Sequence, residues 1–219
     1  MKLQFKAGSM PASALAALSL ALVSAMPGSA TAVSDPPNDF LPSFNGPHNS
    51  DLDVVAANVT LDGSNLDFTA TLNGTVGQTP GAVYVFGVNR GEGTPKFGNI
   101  GEGDVIFDST FVIKGSGDGV VNDLINKTST PISDVTLSGV TISGMVPLSD
   151  LPSEGLNPNQ YEFNLWPEDG AANAGNTEIS DFAPDNSVAS VSDAPEPTTM
   201  SLFGITAIGA ALLRRRKSA

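Results

Sequence analysis

Three predicted turns, each rich in glycine or polar residues, contain acidic residues. These acidic side chains are the ones in this chain best suited to binding a ligand. Calcium takes about six to eight oxygen ligands from carboxylates, carbonyls and water, and acidic turns can supply them. The candidate ligands are Asp51, Asp53, Asp118, Asp123, Asp181 and Asp185. None of these turns matches an EF-hand loop, and Asp in a turn also caps its own backbone. The pattern therefore permits a Ca2+ site, while turn formation is the simpler interpretation.

Aromatic residues at the end of one predicted strand form a second candidate site. Trp166 is the only Trp, and it follows Tyr161 in the segment YEFNLWP. An exposed Trp there could stack on a sugar ring together with Tyr161. Arg90 precedes a glycine-rich loop, where it could bind a carboxylate or balance charge. Because Trp buries a large apolar area, packing in the core is the favoured interpretation for Trp166.

Catalytic constellations do not stand out in the sequence. Cys is absent and His48 is the only His, which excludes thiolate chemistry and zinc sites built from several His. Neither the G-x-S-x-G nor the H-E-x-x-H pattern occurs. Carboxylates are numerous enough for a glycosidase pair, but nothing selects one pair. We therefore expect that the protein is not an enzyme.

Acidic residues dominate the charge of the central part of the chain. Between Val33 and Ala194 there are 22 acidic residues against four basic ones, a net charge of −18. Such a surface repels phosphate backbones, so nucleic acid is excluded as a partner. The charge can attract divalent cations or basic partners, or simply keep an exported protein soluble.

Alternating apolar and polar residues in the same region predict β-strands. The segment Val55–Leu72 alternates on both sides of Asp62-Gly63, which is typical of a β-hairpin. Further strands are predicted at Ala82–Val88, Val105–Lys114, Val135–Ile142, Tyr161–Trp166 and Glu178–Phe182, with short helical turns near Val121–Ile125 or Leu148–Leu151. About seven or eight short strands predict an all-β fold, a single β-sandwich that is jelly-roll-like or immunoglobulin-like. This domain spans residues 33–186, and residues 187–194 are expected to form a flexible linker.

The first 32 residues are typical of a secretory signal peptide. Lys2 and Lys6 precede a mostly apolar run, Ala12–Ala25, which predicts a signal helix. Small residues follow, and Ala30 and Ala32 form an A-x-A cleavage pattern. We therefore expect the secretion machinery to export the chain and cleavage to occur after Ala32.

The C-terminal 25 residues, 195–219, combine three features in a fixed order. Pro195, Glu196 and Pro197 precede the apolar run Met200–Leu213, and the cluster Arg214, Arg215 and Arg216 follows. Fourteen helical residues rise about 21 Å, short of the roughly 30 Å hydrocarbon core of a bilayer. A helix this short predicts a marginal transmembrane span suited to transient anchoring. Clustered cations stay on the cytoplasmic side, which places the body outside.

This tail resembles the PEP-CTERM sorting signal. The resemblance implies recognition by exosortase at Pro195, Glu196 and Pro197, with Arg214 to Arg216 as the retention cluster, in a Gram-negative bacterium that makes exopolysaccharide and biofilm. It also implies that the tail first lies in the inner membrane and that the protein ends at the cell surface or outside the cell.

The favoured interpretation is that the chain is a non-enzymatic matrix protein that contacts extracellular polysaccharide. A calcium-dependent carbohydrate-binding module, a glycan-active enzyme and an adhesion or structural subunit are the alternatives.

Overall fold

The computed structural model describes residues 32–170 and 175–194, and nearly all of the regular structure there is β-strand. The remaining regular elements in these residues are short 3-10 turns at Ser50–Leu52, Gly98–Ile100, Pro158–Gln160 and Asn176–Glu178. This confirms the all-β prediction. The predicted signal helix and the hydrophobic C-terminal helix lie outside the described residues. Within the described ranges, no helix is long and apolar enough to cross a membrane.

The strands form two larger sheets and one small one. In chain order they are β1 (Val33–Ser34), β2 (Val54–Asp62), β3 (Asn65–Leu72), β4 (Ala82–Asn89), β5 (Thr94–Phe97), β6 (Glu102–Phe107), β7 (Ser109–Lys114), β8 (Gly119–Asp123), β9 (Thr128–Ile132), β10 (Val135–Ser138), β11 (Thr141–Pro147), β12 (Glu162–Asp169), β13 (Ala189–Ser190) and β14 (Ser192–Asp193).

Pairing in both larger sheets is antiparallel with one exception. The first sheet has the order β1-β2-β3-β11-β10, and β14 pairs in parallel with β2. The second sheet has the order β13-β12-β4-β7-β8-β9. Strands β5 and β6 form a separate two-stranded sheet.

The inner faces of the two larger sheets share one hydrophobic core. In β3 the apolar residues Leu66, Phe68, Ala70 and Leu72 are buried, as the alternation predicts. The ring of Phe68 lies 5.1 Å from the rings of both Phe86 and Phe111 in the second sheet. Gly144 of β11 leaves room for Phe111, since a Cβ there would lie 2.6 Å from the Phe111 ring. Packing between the sheets is therefore face to face, and the choice between the jelly-roll-like and immunoglobulin-like arrangements stays a prediction.

The predicted hairpin Val55–Leu72 is confirmed as β2 and β3, but other segments differ from the sequence prediction. The single strand predicted at Val105–Lys114 is divided at Asp108 into β6 and β7, which belong to different sheets. The buried Asp108 side chain accepts hydrogen bonds from Arg90, so the chain turns there to satisfy a buried charge. The segment Val135–Ile142 contains the turn of a hairpin between β10 and β11, with Gly139 at φ 59°.

The predicted strand Glu178–Phe182 and the predicted helical turn Val121–Ile125 are also corrected. Residues 176–178 form a 3-10 turn, and only isolated bridges join this region to β12, at Ile179 and Ala183. Val121 lies within β8 instead of a helix. Gly119, Val121 and Asp123 are buried and lie two residues apart, which is the period of a strand.

Residues 187–194 were expected to form a flexible linker, but they pair with both larger sheets. Strand β13 pairs with β12, and β14 pairs with β2. Between them Val191 is buried, and its N–H donates to the carbonyl of Tyr161 at 2.8 Å. An apolar residue in a polar segment thus fixes this stretch to the core. Since β1 also pairs with β2, both ends of the described body lie along one strand.

Replacing Phe68 by Ala should test the contact between the sheets. We expect Phe68→Ala to lower the free energy of unfolding of the full chain by about 3–5 kcal/mol, because it removes a fully buried ring that touches both sheets. Urea denaturation can be followed through the fluorescence of Trp166. Met145→Ala is the control, since Met145 is exposed in the neighbouring strand β11, and should cost less than about 0.5 kcal/mol. Equal losses in the two variants would contradict the shared core.

Candidate metal centre

Residues 33–41, which we call the N-terminal strap, run between β2 and the segment that follows β12. The strap begins as β1, paired with β2. The N–H of Asp35 then donates to the carbonyl of Val55 at 3.1 Å, and the N–H of Leu41 donates to the carbonyl of Ser180 at 2.8 Å. Hydrogen bonds at both ends therefore hold the strap against two elements that are distant in sequence.

A turn in the middle of the strap reverses the chain. It follows Pro36, and Asn38 has φ of 67°, a left-handed conformation that Asn adopts more easily than most residues with a side chain. The N–H of Asn38 donates to Oδ2 of Asp53 at 2.9 Å. As a result, Asp35 and Asp39 on the two sides of the turn come close to the start of β2.

Four carboxylates meet at this place, and we call Asp35, Asp39, Asp53 and Asp181 the acidic cluster. One oxygen from each of Asp35, Asp39 and Asp181 lies within 4.8 Å of the other two. The charge of Asp53 acts on both strap carboxylates. Asp35, Asp53 and Asp181 are buried, and Asp39 is half-buried. Like charges are therefore concentrated where little water can screen them.

Several oxygens of the acidic cluster are buried and accept no hydrogen bond. These are Oδ2 of Asp35, Oδ1 of Asp39 and Oδ1 of Asp53. By contrast, both oxygens of Asp181 accept backbone hydrogen bonds of 2.8 Å, from Val54 and from Phe182. A buried polar group without a partner costs about 1–3 kcal/mol, and native proteins rarely keep several at one place without a cause.

The pKa values within the acidic cluster rise because of burial and mutual repulsion. Burial raises the pKa of Asp35 to about 7, and the carboxylates of Asp39, Asp185 and Asp53 act in the same direction. Burial also raises the pKa of Asp181 to about 8, against the lowering effect of the hydrogen bond from Val54 and with the help of the strap carboxylates. Such an arrangement gains stability from protons or from a cation. Its donors are all carboxylate oxygens, which suit hard cations such as calcium and magnesium.

The six acidic residues predicted as ligands are distributed over several places in the structure. Asp53 and Asp181 belong to the acidic cluster, and the exposed Asp185 is close enough for its charge to act on Asp35. Asp51 is buried elsewhere, where its two oxygens accept 2.7 Å hydrogen bonds from the N–H and the hydroxyl of Thr79. Asp118 is exposed and accepts a hydrogen bond from Ser116. Asp118 thus acts within its own turn, whereas Asp51 joins its segment to Thr79, 28 residues away in the sequence.

Asp123 and Arg90 belong to a buried ion network. The Nε atom of Arg90 lies 2.7 Å from Oδ1 of Asp108, and its Nη2 atom lies 3.2 Å from Oδ1 of Asp123. The Nη1 atom donates to the carbonyl of Pro152 at 2.9 Å. Arg90 is fully buried, so it balances internal charge and is not placed to hold a ligand at the surface.

Trp166 and Tyr161 lie inside the core, which agrees with the favoured interpretation of Trp166 and leaves neither residue exposed to bind a ligand. Trp166 is 2% exposed, with its ring 5.1 Å from those of Phe97 and Phe107, and its Nε1 donates to Glu168 at 2.8 Å. The hydroxyl of the buried Tyr161 donates to the carbonyl of Leu151 at 3.1 Å. Neither ring presents a face on which a sugar could stack.

Sequence reasoning missed Asp35 and Asp39, half of the acidic cluster. Their signal was the segment Asp-Pro-Pro-Asn-Asp, directly after the predicted cleavage site. Two acids separated by a proline turn can point to one place, but only the docking of the strap shows which other acids they meet.

The C-terminal tail of the chain matches a known protein family. Residues 193–217 match the family model of the PEP-CTERM protein-sorting motif. The chain carries a PEP-CTERM sorting tail. The match includes Pro195, Glu196, Pro197 and the Arg214–Arg216 cluster, all of which lie outside the described residues. No curated protein and no solved structure matches the chain. The sorting tail is the signal that exosortase recognises. The protein is therefore exported and surface-associated in a Gram-negative bacterium.

The sorting tail follows the folded body without an intervening free segment. Asp193 pairs with Leu61 in the first sheet, and the N–H of Ala194 donates to the carbonyl of Leu61 at 2.9 Å. Pro195 is the next residue. Cleavage near Pro195-Glu196-Pro197 would therefore leave the paired strands of the body intact.

The acid stability of the body should depend on Asp123. Burial favours a higher pKa for Asp123, but hydrogen bonds from Asn126 and Arg90 and the charge of Arg90 outweigh it and lower the pKa to about 2. A lowered pKa stabilises the fold above about pH 4, and this contribution is lost as the pH falls toward 2. We expect Asp123→Asn to cost roughly 1–2 kcal/mol at pH 7 and progressively less between about pH 4 and 2.

Urea denaturation at several pH values measures this difference. Asp118→Asn is the matched control, because Asp118 is exposed and should show little difference from wild type at any of these pH values. A cost of Asp123→Asn that is the same at pH 7 and pH 2 would contradict the lowered pKa.

Proposed function

We propose that this protein is a non-enzymatic β-domain that works outside the cell as a component of extracellular matrix or biofilm. In this proposal the signal peptide directs export and is cleaved after Ala32. The sorting tail then lies transiently in the inner membrane, with Arg214 to Arg216 on the cytoplasmic side. Exosortase acts near Pro195-Glu196-Pro197, and the body remains at the surface or in the surrounding polymer.

The observation that carries the proposal is the sorting tail together with its junction to the body. The motif matches at residues 193–217, and the body ends in strand pairing at Ser192–Asp193. An enzyme that cuts or transfers the chain at this junction would therefore release or attach a complete folded domain. This arrangement supports delivery of an intact folded unit to the outside.

The distribution of charge and aromatic residues favours a matrix role over the two carbohydrate-specific alternatives. A sugar-binding module usually offers exposed aromatic faces, whereas Trp166 and Tyr161 are buried. A glycosidase needs two carboxylates that flank a sugar, and the acidic cluster is too enclosed, with Asp35 and Asp181 buried. A strongly acidic body instead remains hydrated and can interact with polysaccharide, directly or through cations.

A processing experiment in a Gram-negative host with its own exosortase tests the proposal. The full chain is produced with Glu196→Ala in the sorting motif, and cell fractions are compared with wild type by immunoblotting against the body. We expect wild type to lose the tail and to appear in the surface or extracellular fraction. The variant should keep its tail and stay in the inner-membrane fraction, because exosortase no longer recognises the motif.

Glu92→Ala is the matched control, since Glu92 is an exposed acidic residue of the body and lies outside the motif. Its processing should equal that of wild type. Normal processing of Glu196→Ala, or a wild-type body that stays in the cytoplasm, would refute exosortase-dependent delivery. Release of reducing sugars from the host's exopolysaccharide by the purified protein would refute the non-enzymatic role.

A further inference from the structure

We propose that Asp35, Asp39 and Asp181, with the charge of Asp53 beside them, bind one Ca2+ ion that fastens the N-terminal strap to the body. The site goes beyond the proposed sorting and matrix role and does not depend on it. It joins two residues of the strap with Asp181 in the segment after β12, beside Asp53, which directly precedes β2.

The spacing of the oxygens fits a calcium coordination shell. Calcium–oxygen distances are about 2.3–2.6 Å, so ligands on opposite sides of the ion are roughly 4.6–5.2 Å apart. One oxygen from each of Asp35, Asp39 and Asp181 lies within 4.8 Å of the other two. Small side-chain rotations are enough to bring three carboxylates onto a single ion.

Oxygens without hydrogen-bond partners give the second, independent indication of a ligand. Asp35 is 7% exposed and Asp53 is fully buried, yet Oδ2 of Asp35 and Oδ1 of Asp53 have no partner. Oδ1 of Asp39 is also buried without one. Turn formation does not explain these atoms, because an Asp that caps a turn uses its oxygens to accept backbone N–H groups, as Oδ1 of Asp123 does from Ile125 and Asn126. A cation held by Asp35, Asp39 and Asp181 gives the unpartnered oxygens of Asp35 and Asp39 a partner and lies beside the charge of Asp53.

The composition of the acidic cluster selects calcium over other metals. Four carboxylates and no His or Cys disfavour zinc and copper, which prefer nitrogen and sulfur ligands. Magnesium keeps several of its waters, whereas calcium accepts many protein oxygens in flexible geometry. Buried carboxylates from three separate chain segments leave little room for a hydrated ion. Export also places the protein where calcium modules with a Kd of about 10⁻⁴–10⁻³ M are used.

Asp35→Asn separates ligand binding from a purely structural role. The Asp35 side chain accepts no hydrogen bond through Oδ2, and Asn has nearly the same size. Without metal, Asp35→Asn removes one of several repelling charges, so its melting temperature should be equal to or higher than that of wild type. With calcium, the same variant loses a ligand and should lose most of the stabilisation.

Thermal unfolding of the full chain in non-ionic detergent, followed through Trp166 fluorescence, measures both effects. The probes are calcium chloride, magnesium chloride and EDTA. At a calcium concentration of about 100 times Kd, the melting temperature of wild type should rise by roughly 5–10 °C relative to EDTA. Magnesium should give a much smaller rise. Asp35→Asn and Asp39→Asn should show little calcium response, and Asp118→Asn, the exposed control, should respond like wild type.

Two results would overturn the proposal. The first is a wild-type melting temperature that does not change with calcium. The second is a calcium response that Asp35→Asn and Asp39→Asn retain in full, which would place the ion elsewhere. Equal responses to calcium and magnesium would overturn the assignment to calcium. Since exosortase processing is read separately by fractionation, failure here leaves the sorting proposal standing.

Discussion

The four carboxylates of the acidic cluster repel one another at the place where the strap, β2 and the segment after β12 meet, and the N-terminal half of the body must accommodate this repulsion. Asp53 precedes β2 directly and accepts the N–H of Asn38 in the strap. Asp181 accepts the N–H of Val54, the first residue of β2. The strap, the first long strand and the segment after β12 are therefore joined at a place where negative charge accumulates. A cation at this place would convert the repulsion into attraction among all three.

The ion network around Arg90 shows how the same chain neutralises buried acids when it has a cation of its own. Arg90 faces Asp108 and Asp123, and the pKa of Asp123 falls to about 2. In the acidic cluster burial, together with the neighbouring carboxylates, raises the pKa of Asp35 to about 7 and that of Asp181 to about 8. In the Arg90 network the chain supplies the opposite charge itself, whereas the acidic cluster has no cation of the chain among the described groups that act on it.

Local sequence patterns predicted those parts of the fold that depend on neighbouring residues. The alternation in β3 and the Asp62-Gly63 turn gave the β2–β3 hairpin, since strand period and turn chemistry are local. The strand predicted at Val105–Lys114 is interrupted at Asp108, whose partner Arg90 directly follows β4 and is distant in the sequence. Residues 187–194 looked like a linker because their pairing partners, β12 and β2, are far away in the sequence.

The candidate site was likewise predictable only where its signal is local in the sequence. Acidic turns pointed to calcium, and Asp53 and Asp181 are among the cluster's members, but Asp51 and Asp123 had local or long-range partners that the sequence does not reveal. Asp35 and Asp39 could not be assigned, because their role depends on how the strap docks. Pro-Glu-Pro and the arginine cluster were recognisable because a sorting signal is read as a linear motif.

Diffraction from crystals of the protein grown with calcium tests the central claim most directly. We expect one anomalous peak about 2.3–2.6 Å from carboxylate oxygens of Asp35, Asp39 and Asp181, with Asp53 beside the coordination shell. Crystals grown with EDTA should lack the peak. A calcium-containing crystal in which these carboxylates bind no ion, or in which the ion lies at another acidic turn, would contradict it.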